Sequence, residues 1–247
     1  MELSAFFQEN PNCAIAFSGG VDSAYLLYAA VTYGANVTAY FVKSAFQPQF
    51  ELDDAVRFAG ELQVRLRVLS TDLLSIKEIT ANTNKRCYFC KKLILSTIQK
   101  ATRKDGFFLL LDGSNASDDE TDRPGMQAVK ELFVRSPLRE CGLTKNDIRL
   151  LSKEAGLFTC HKPAYACLAT RIPFGTPITS EKLTHTELAE DYLRSLGFFD
   201  FRVRCYGNAA RIQVAKDQLY DILTYRERIR EELLKYYSDV FLDLNVR

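Results

Sequence analysis

The chain has 247 residues, 47% of them hydrophobic, and a formal net charge of +1 at pH 7. This composition is typical of a globular protein, and the sequence has neither an apolar run of about 18 residues, as a transmembrane helix needs, nor the basic start of a secretory signal. The balanced charge gives no electrostatic reason to expect nucleic-acid binding. The seven cysteines are irregularly spaced, which argues against a disulfide framework. We therefore expect a cytoplasmic protein with no membrane or nucleic-acid partner, whose thiols are reduced or bind metal.

The first predicted strand, residues 13–17, leads into a glycine-rich turn. This turn reads Ser18-Gly19-Gly20-Val21-Asp22-Ser23, and a predicted helix over residues 24–30 follows it. Backbone N–H groups and the positive end of the helix dipole attract anions there, and two glycines able to take positive φ let the chain approach phosphate oxygens. The turn lacks the Gly-x-x-x-x-Gly-Lys pattern of a P-loop. It resembles the pyrophosphate loop of ATP pyrophosphatases, which cleave ATP to AMP and pyrophosphate.

Strands and helices alternate over the next hundred residues. We predict strands at 36–42, 64–69 and 107–111 and helices at 51–62 and 91–103, a pattern typical of a parallel sheet covered on both faces. Ligands of such sheets bind beyond the carboxyl ends of the strands.

Two sequences fall at those strand ends, the Ser18–Ser23 turn and Asp112-Gly113-Ser114-Asn115. Asp118, Asp119 and Asp122 follow the second one and are candidate Mg²⁺ ligands, although such an acidic run is more often a solvated loop.

A pair of cysteines, Cys87 and Cys90, is the second strong signal. Two thiolates at this spacing hold one metal ion or one edge of a cluster. A structural zinc site would need a second pair, which the sequence lacks, and a redox dithiol would more naturally follow the first strand of a thioredoxin-like unit. Cys167 is the best candidate for a third ligand, and Cys160 is its rival. The remaining cysteines are predicted to be buried or inert: Cys13, Cys141 and Cys205.

The pattern changes after the Pro- and Gly-containing stretch 163–177. Thr144 and Asp147 form a predicted capping box before it, opening a helix through residue 155. After it we predict a helix over 180–196, paired strands at 201–206 and 211–214, a helix over 216–236 and a strand at 240–244. Arg202 and Arg204 share one face of the first of these strands, so they form either a surface stripe or a grip on a phosphate.

These motifs occur in the same order in the LarE family, which the chain resembles over nearly its whole length. They are Ser18–Ser23, Asp112-Gly113, Arg123-Pro124-Gly125, Cys167 with Arg171-Ile172-Pro173-Phe174-Gly175, residues 192–198, and Arg202-Val203-Arg204. LarE proteins are ATP-dependent sulfur transferases that help to build the nickel-pincer nucleotide of lactate racemase. In the family, a carboxylate of pyridinium-3,5-biscarboxylic acid mononucleotide is adenylated, and sulfur then replaces AMP to give a thiocarboxylate. Some members sacrifice the sulfur of one cysteine, at the position of Cys167, and others relay sulfide on a 4Fe-4S cluster held by three cysteines.

The resemblance implies a Rossmann-like α/β fold of the ATP pyrophosphatase (PP-loop) type over residues 1–170 and a small α+β domain for substrate binding or oligomerisation over 171–247. Its cofactors would be ATP, Mg²⁺ and a 4Fe-4S cluster, and its partners a nucleotide substrate, a sulfide donor and further copies of the chain in a homo-oligomer such as a hexamer. The implied cluster ligands are Cys87, Cys90 and Cys167.

The resemblance also assigns individual site residues. The catalytic residues it implies are Cys167, Asp22, Lys91 and Arg171, with Asp22 positioning Mg²⁺ or the turn. The implied cofactor and substrate contacts are Ser18, Gly19, Gly20, Val21, Asp22, Ser23, Asp112, Gly113, Arg123, Arg202 and Arg204. A family metal site would map to Glu190, Gln213 and Asp221, where Gln213 replaces a carboxylate.

Three other functions stay open at this point. A tRNA thiolase should show a basic face or an added RNA-binding domain, and the balanced charge speaks against it. A non-catalytic nucleotide-binding module would bind AMP without consuming ATP. An amidotransferase-type synthetase would need a glutaminase part, which the sequence does not show.

Overall fold

The computed structural model describes residues 2–118 and 124–247. Predictions for Asp119, Asp122 and Arg123 therefore lie outside the described residues. The strands of the described chain are β1 (Asn12–Ala16), β2 (Asn36–Lys43), β3 (Arg65–Ser70), β4 (Leu110–Asp112), β5 (Arg202–Tyr206), β6 (Ala209–Gln213) and β7 (Val240–Leu242). Its α-helices are α1 (Leu3–Glu9), α2 (Val21–Thr32), α3 (Gln49–Glu61), α4 (Lys77–Thr80), α5 (Arg86–Lys104), α6 (Gly125–Glu131), α7 (Pro137–Glu140), α8 (Lys145–Glu154), α9 (Ser180–Ser195), α10 (Leu219–Thr224) and α11 (Arg226–Leu233).

The chain divides into two compact units. The N-terminal unit comprises Met1–Asp72 and Asn84–Lys162, and the C-terminal unit comprises Leu73–Thr83 and Pro163–Arg247. Segment 73–83 belongs to the second unit because the side-chain amide of Asn82 donates to the carbonyls of Ile172, Pro173 and Thr176 at 3.3, 2.8 and 2.9 Å. These compact units are not shown to be independent domains, so the predicted domain boundary after residue 170 stays a prediction.

A four-stranded parallel sheet in the order β3-β2-β1-β4 organises the N-terminal unit. Neighbouring residues of β1 belong to hydrophobic clusters on opposite faces of the sheet. Ile15 packs in the cluster with α2 and α3, and Ala14 packs in the cluster with α5 and α6. Burial on both faces explains why β1 and β2 are largely apolar runs, whereas β3 at the edge of the sheet contains exposed Arg65 and polar residues. The structure thus confirms the predicted Rossmann-like parallel sheet.

Element boundaries differ from the prediction at two places that concern the site. The predicted strand 107–111 begins only at Leu110, and Phe108, which the apolar run had placed inside it, is 89% exposed. Helix α5 begins at Arg86 rather than at Lys91, so Cys87 and Cys90 lie within its first five residues. The capping box of Thr144 and Asp147 at the start of α8 is confirmed.

The C-terminal unit contains α9 and a three-stranded sheet, in which β5 is antiparallel and β7 parallel to β6. The single helix predicted over 216–236 is wrong, because the segment forms a 3-10 turn, α10 and α11, with Tyr225 between the two helices. No Gly or Pro marks this break in the sequence. Within the described part of the chain, none of the helices is long and apolar enough to span a membrane.

Candidate active site

A cavity of about 300 Å³ lies at the carboxyl ends of β1, β2 and β4. Eight of the predicted site residues line it together: Ser18, Gly20, Asp22, Ser23, Lys91, Asp112, Gly113 and Asp118, the last a candidate Mg²⁺ ligand. The rest of the wall is largely apolar and comes from β2 and α5, with Tyr40, Val42, Ile94, Leu95 and Ile98. A cavity with one polar end and one apolar end matches a nucleotide, which has charged phosphates and a flat base. Val21 does not line this cavity and packs into the core instead.

The glycine-rich turn is held by its own hydroxyl groups. Ser23 Oγ donates to the carbonyl of Gly20 at 3.1 Å and lies 3.1 Å from Ser18 Oγ. Gly19 has a φ of +76° and Gly20 a φ of −79°, so only Gly19 uses the positive φ that both glycines allow. Gly113 matters for close packing, because a Cβ there would lie 2.9 Å from the backbone nitrogen of Ser23. The two predicted loops therefore contact each other at the start of α2.

Lys162 ties this turn to helix α3. Its ammonium group lies 3.3 Å from the carbonyl oxygen of Gly19, 2.9 Å from Glu51 Oε2 and 2.7 Å from Asp54 Oδ2. The lysine side chain is only 12% exposed. Sequence reasoning missed this arrangement, since Lys162 stands more than a hundred residues from each of these partners.

Asp112 is a buried anchor for the cavity wall. Its carboxylate accepts hydrogen bonds from Ser136 Oγ at 2.6 Å, Ser114 Oγ at 2.8 Å and Lys91 Nζ at 3.0 Å. Burial alone would raise the pKa of Asp112, but the charge of Lys91 and these hydrogen bonds lower it below its ordinary value. Asp112 therefore orients Lys91 and its own loop, and Ser136 is a contributor that the sequence did not reveal.

Asp22 forms an ion pair with Lys145, the first residue of α8. The distance from Lys145 Nζ to Asp22 Oδ2 is 2.6 Å. The other carboxylate oxygen, Oδ1, is buried without a hydrogen-bond partner among the described residues. An unpaired buried oxygen of this kind is costly unless a ligand satisfies it. Lys145 was predicted only as part of a capped helix.

The C-terminal unit contains a buried ion pair between Arg171 and Glu190. Each side chain is 1% exposed, and Arg171 Nε lies 2.7 Å from Glu190 Oε1. Glu190 also accepts hydrogen bonds from Tyr165 Oη at 2.6 Å and from the backbone N–H of Val203 at 2.9 Å. The carboxylate of Glu190 is thus occupied by protein groups, which is unlike a metal ligand. The guanidinium of Arg171 is likewise bonded to Glu190, and the predicted catalytic role of Arg171 stays a prediction.

Arg202 and Arg204 continue this arginine-rich cluster. Arg202 is 4% exposed, so a surface stripe is wrong for this residue. Its guanidinium lies over the ring of Tyr165, at 5.0 Å from the centroid, and donates to the carbonyls of Phe201 and Ala164. Burial and the nearby charge of Arg171 lower the pKa of Arg202 to about 10, and they also lower the pKa of Arg204. Besides Glu190, a carboxylate of this unit near Arg202 is that of Asp200, whose Oδ1 lies 3.9 Å from Arg202 Nη1.

The predicted cysteine ligands belong to both units. Cys87 is exposed and Cys90 partly exposed in the N-terminal unit, and Arg86 Nη2 donates to Cys87 Sγ at 3.6 Å. Cys167 is partly exposed in the C-terminal unit. Burial raises the pKa of Cys13 to about 12, so this thiol stays protonated and is a poor ligand. Among the described residues, no group of three or more His, Cys, Asp or Glu side chains is already assembled to hold a metal ion.

The fold and the cavity define the chain as an α/β protein of the Rossmann-like PP-loop class. No family model matches it. It is 34% identical to the pyridinium-3,5-bisthiocarboxylic acid mononucleotide synthase of Lactiplantibacillus plantarum, over 98% of this chain and 89% of that protein. The chain belongs to the LarE family, the family of that synthase.

Two relatives without an assigned function are similar to the chain as well. An uncharacterized protein of Synechocystis is 40% identical over 88% of this chain and 81% of its own length. An uncharacterized protein of Methanocaldococcus jannaschii is 30% identical over 96% of this chain and 91% of its own length. Each alignment covers residues of both units, so the similarity is not confined to the N-terminal unit with its parallel sheet.

Proposed function

We propose that this protein is an ATP-dependent sulfur transferase of nickel-pincer cofactor biosynthesis. It adenylates a carboxylate of pyridinium-3,5-biscarboxylic acid mononucleotide and converts it to a thiocarboxylate. The observation that carries this proposal is the cavity at the Ser18–Ser23 turn, with polar groups at the start of α2 and an apolar wall from β2 and α5. The synthase named above, which is similar over nearly the whole chain, supports the choice of substrate.

Adenylation solves a chemical problem that every carboxylate poses. The negative charge of a carboxylate repels nucleophiles, and oxide is a poor leaving group. Transfer of AMP from ATP places a good leaving group on the carboxyl carbon and releases pyrophosphate. Backbone N–H groups at the start of α2 stabilise the departing pyrophosphate in this proposal, together with the hydroxyl of Ser18, while Ser23 Oγ holds the turn through the carbonyl of Gly20.

Mg²⁺ fits the donor set at Asp22. The buried Oδ1 of this residue lacks a partner among the described residues, and carboxylate oxygen is the ligand type that Mg²⁺ prefers. When bound, the ion would neutralise phosphate charge. Lys91, oriented by Asp112, adds a second positive group to the wall of the cavity.

The arginine-rich cluster of the C-terminal unit supports an anionic substrate. Burial and the nearby charge of Arg171 disfavour the charged forms of Arg202 and Arg204 and lower the pKa of both residues. A phosphate or carboxylate group compensates that charge with hydrogen bonds from guanidinium, which binds such groups well. We assign Arg171 a positioning role, because Glu190 occupies its guanidinium.

The sulfur source in this proposal is a 4Fe-4S cluster bound by Cys87, Cys90 and Cys167. Cys87 and Cys90 fit two of the ligands, since positions three apart on a helix lie on one face. When bound, the cluster would supply sulfide from its fourth iron. The sulfide displaces AMP from the adenylated carboxyl group: a C–S bond forms, the C–O bond to AMP breaks, and AMP leaves with the electron pair.

Release of AMP and pyrophosphate tests this function directly. Purified protein is incubated with ATP, Mg²⁺, sulfide and pyridinium-3,5-biscarboxylic acid mononucleotide, and both products are quantified. The proposal predicts that both appear only when the mononucleotide is present. Binding of AMP without any consumption of ATP would instead identify a non-catalytic nucleotide-binding module.

A further inference from the structure

The peptide group between Gly19 and Gly20 lies at the edge of the cavity and has a bonded carbonyl on one side. The carbonyl of Gly19 accepts from Lys162 Nζ at 3.3 Å, while Gly20 lines the cavity. A trans peptide is planar, so its C=O and N–H groups point in opposite directions. Holding the Gly19 carbonyl on Lys162 therefore directs the N–H of Gly20 away from Lys162, on the side of Ser18 Oγ, a cavity-lining group that it meets only at the long distance of 3.5 Å. We propose that Lys162 is a positioning residue that presents the Gly20 N–H to a phosphate of the bound nucleotide.

A side chain that fixes this peptide is needed because the two glycines allow more than one backbone conformation. Glycine populates positive and negative φ almost equally, so two consecutive glycines give the peptide between them little intrinsic preference for one orientation. A flipped peptide would turn the Gly19 carbonyl towards a phosphate and repel it. An ammonium group beside the carbonyl disfavours that flip, because the flip would break a charge-assisted hydrogen bond.

The position of Lys162 is itself fixed from two sides. Arg149 of α8 donates to the carbonyls of Cys160 and Lys162 at 2.6 and 3.0 Å, which holds the backbone. Glu51 and Asp54 of α3 bind the ammonium group at 2.9 and 2.7 Å. With a side chain that is 12% exposed, Lys162 has little freedom to leave the Gly19 carbonyl.

A purely structural role predicts something different. In that case Lys162 only compensates the charges of Glu51 and Asp54, and it has no specific effect on phosphate binding. Removing the two carboxylates together with the lysine would then restore normal behaviour. This difference separates the two roles, and the inference rests on the proposed function because it assumes that the cavity binds ATP.

The experiment measures the dissociation constants of Mg-ATP and of adenosine by calorimetry. The variants are K162M, K162R, the triple variant K162M/E51Q/D54N, and K153M as a control on an exposed lysine of α8. We expect K162M to weaken ATP binding about tenfold or more, as for a lost hydrogen bond to a charged group, with adenosine binding changed less than about twofold. K162R should keep ATP binding close to the wild type, and K153M should match it.

The triple variant decides between the roles. We expect it to recover thermal stability relative to K162M and to remain weakened for ATP. Recovery of ATP binding in the triple variant, or an equal loss of ATP and adenosine in K162M, would overturn the positioning role of Lys162. Wild-type protein that binds no ATP would overturn the proposed function itself, an outcome that the wild-type titration shows separately.

Discussion

Arg171 and Glu190 form an ion pair from which solvent is almost completely excluded, each side chain being 1% exposed. Tyr165 Oη and the backbone of Val203 complete the hydrogen bonds of the carboxylate. This pair links the segment that follows Cys167 to α9 and β5 within the C-terminal unit. Because both oxygens of Glu190 are bonded to protein groups, Glu190 is unsuited to a metal site with Gln213 and Asp221. Asp221 itself is exposed.

The first prediction concerns this ion pair. Glu190→Gln leaves the buried guanidinium of Arg171 without a counter-charge, and loss of one partner of a buried pair costs about 3–5 kcal/mol of unfolding free energy. Urea denaturation at pH 7 measures the change. Asp191→Asn, on an exposed neighbour in the same helix, serves as the control and should change stability little. A Glu190→Gln protein as stable as the wild type would contradict the importance of the pair.

The second prediction separates two glycines of the cavity. Gly20 already has a φ that other residues adopt, and a Cβ there would meet only Ser18 Oγ at 3.5 Å. Gly20→Val should therefore keep the circular dichroism spectrum and abolish AMP formation, because the side chain blocks approach of phosphate. Gly113→Ala should lower stability instead, since its Cβ would lie 2.9 Å from Ser23 N. Normal AMP release from Gly20→Val would contradict the assignment of the turn.

The third prediction is a pH dependence at Asp112. Its folded pKa lies below the ordinary value of 3.8, so its contribution to stability is fully present above pH 3.8 and is lost as pH falls through the folded pKa. Asp112→Asn should cost about 1–3 kcal/mol at pH 7, as expected for lost hydrogen bonds to a buried charge. The difference from the wild type should shrink below pH 3.8. Urea midpoints at pH 7 and at successively lower pH provide the test, and a difference that stays constant in acid would contradict it.

The fourth prediction concerns the cluster ligands. After anaerobic purification, iron content should fall in each of the single variants C87A, C90A and C167A, with adenylation retained. C141A offers a matched control, since Cys141 is also partly exposed and burial raises its pKa. Loss of iron in C160A but not in C167A would move the third ligand to Cys160. Conversion of Cys167 to dehydroalanine in protein without iron would establish the sacrificial route instead.

Much of the fold could be predicted because its signals are local. The strands β1 and β2 are apolar runs buried on both faces, and the Ser18–Ser23 turn lies between a strand and a helix, so pattern and motif agree. The lining of the cavity followed from the rule that ligands bind at the carboxyl ends of parallel strands.

Polar partners distant in sequence could not be predicted. Lys162 meets Gly19 across 143 positions and Lys145 meets Asp22 across 123, and neither pairing leaves a periodic trace in the sequence. Asn82 is a similar case, because its side chain closes a loop about ninety residues further on. The break of the last helix at Tyr225 was missed for another reason, since no Gly or Pro accompanies it.

In the proposed reaction, this protein replaces a carboxylate oxygen of the mononucleotide by sulfur after adenylation. Mass spectrometry of a complete reaction with ATP, Mg²⁺, pyridinium-3,5-biscarboxylic acid mononucleotide and isotopically labelled sulfide tests it most directly. We expect a thiocarboxylate that carries the label in wild-type protein, and an accumulated adenylate without thiocarboxylate in C167A. Unlabelled thiocarboxylate would contradict the sulfide route, and the absence of both adenylate and thiocarboxylate would contradict the proposed reaction itself.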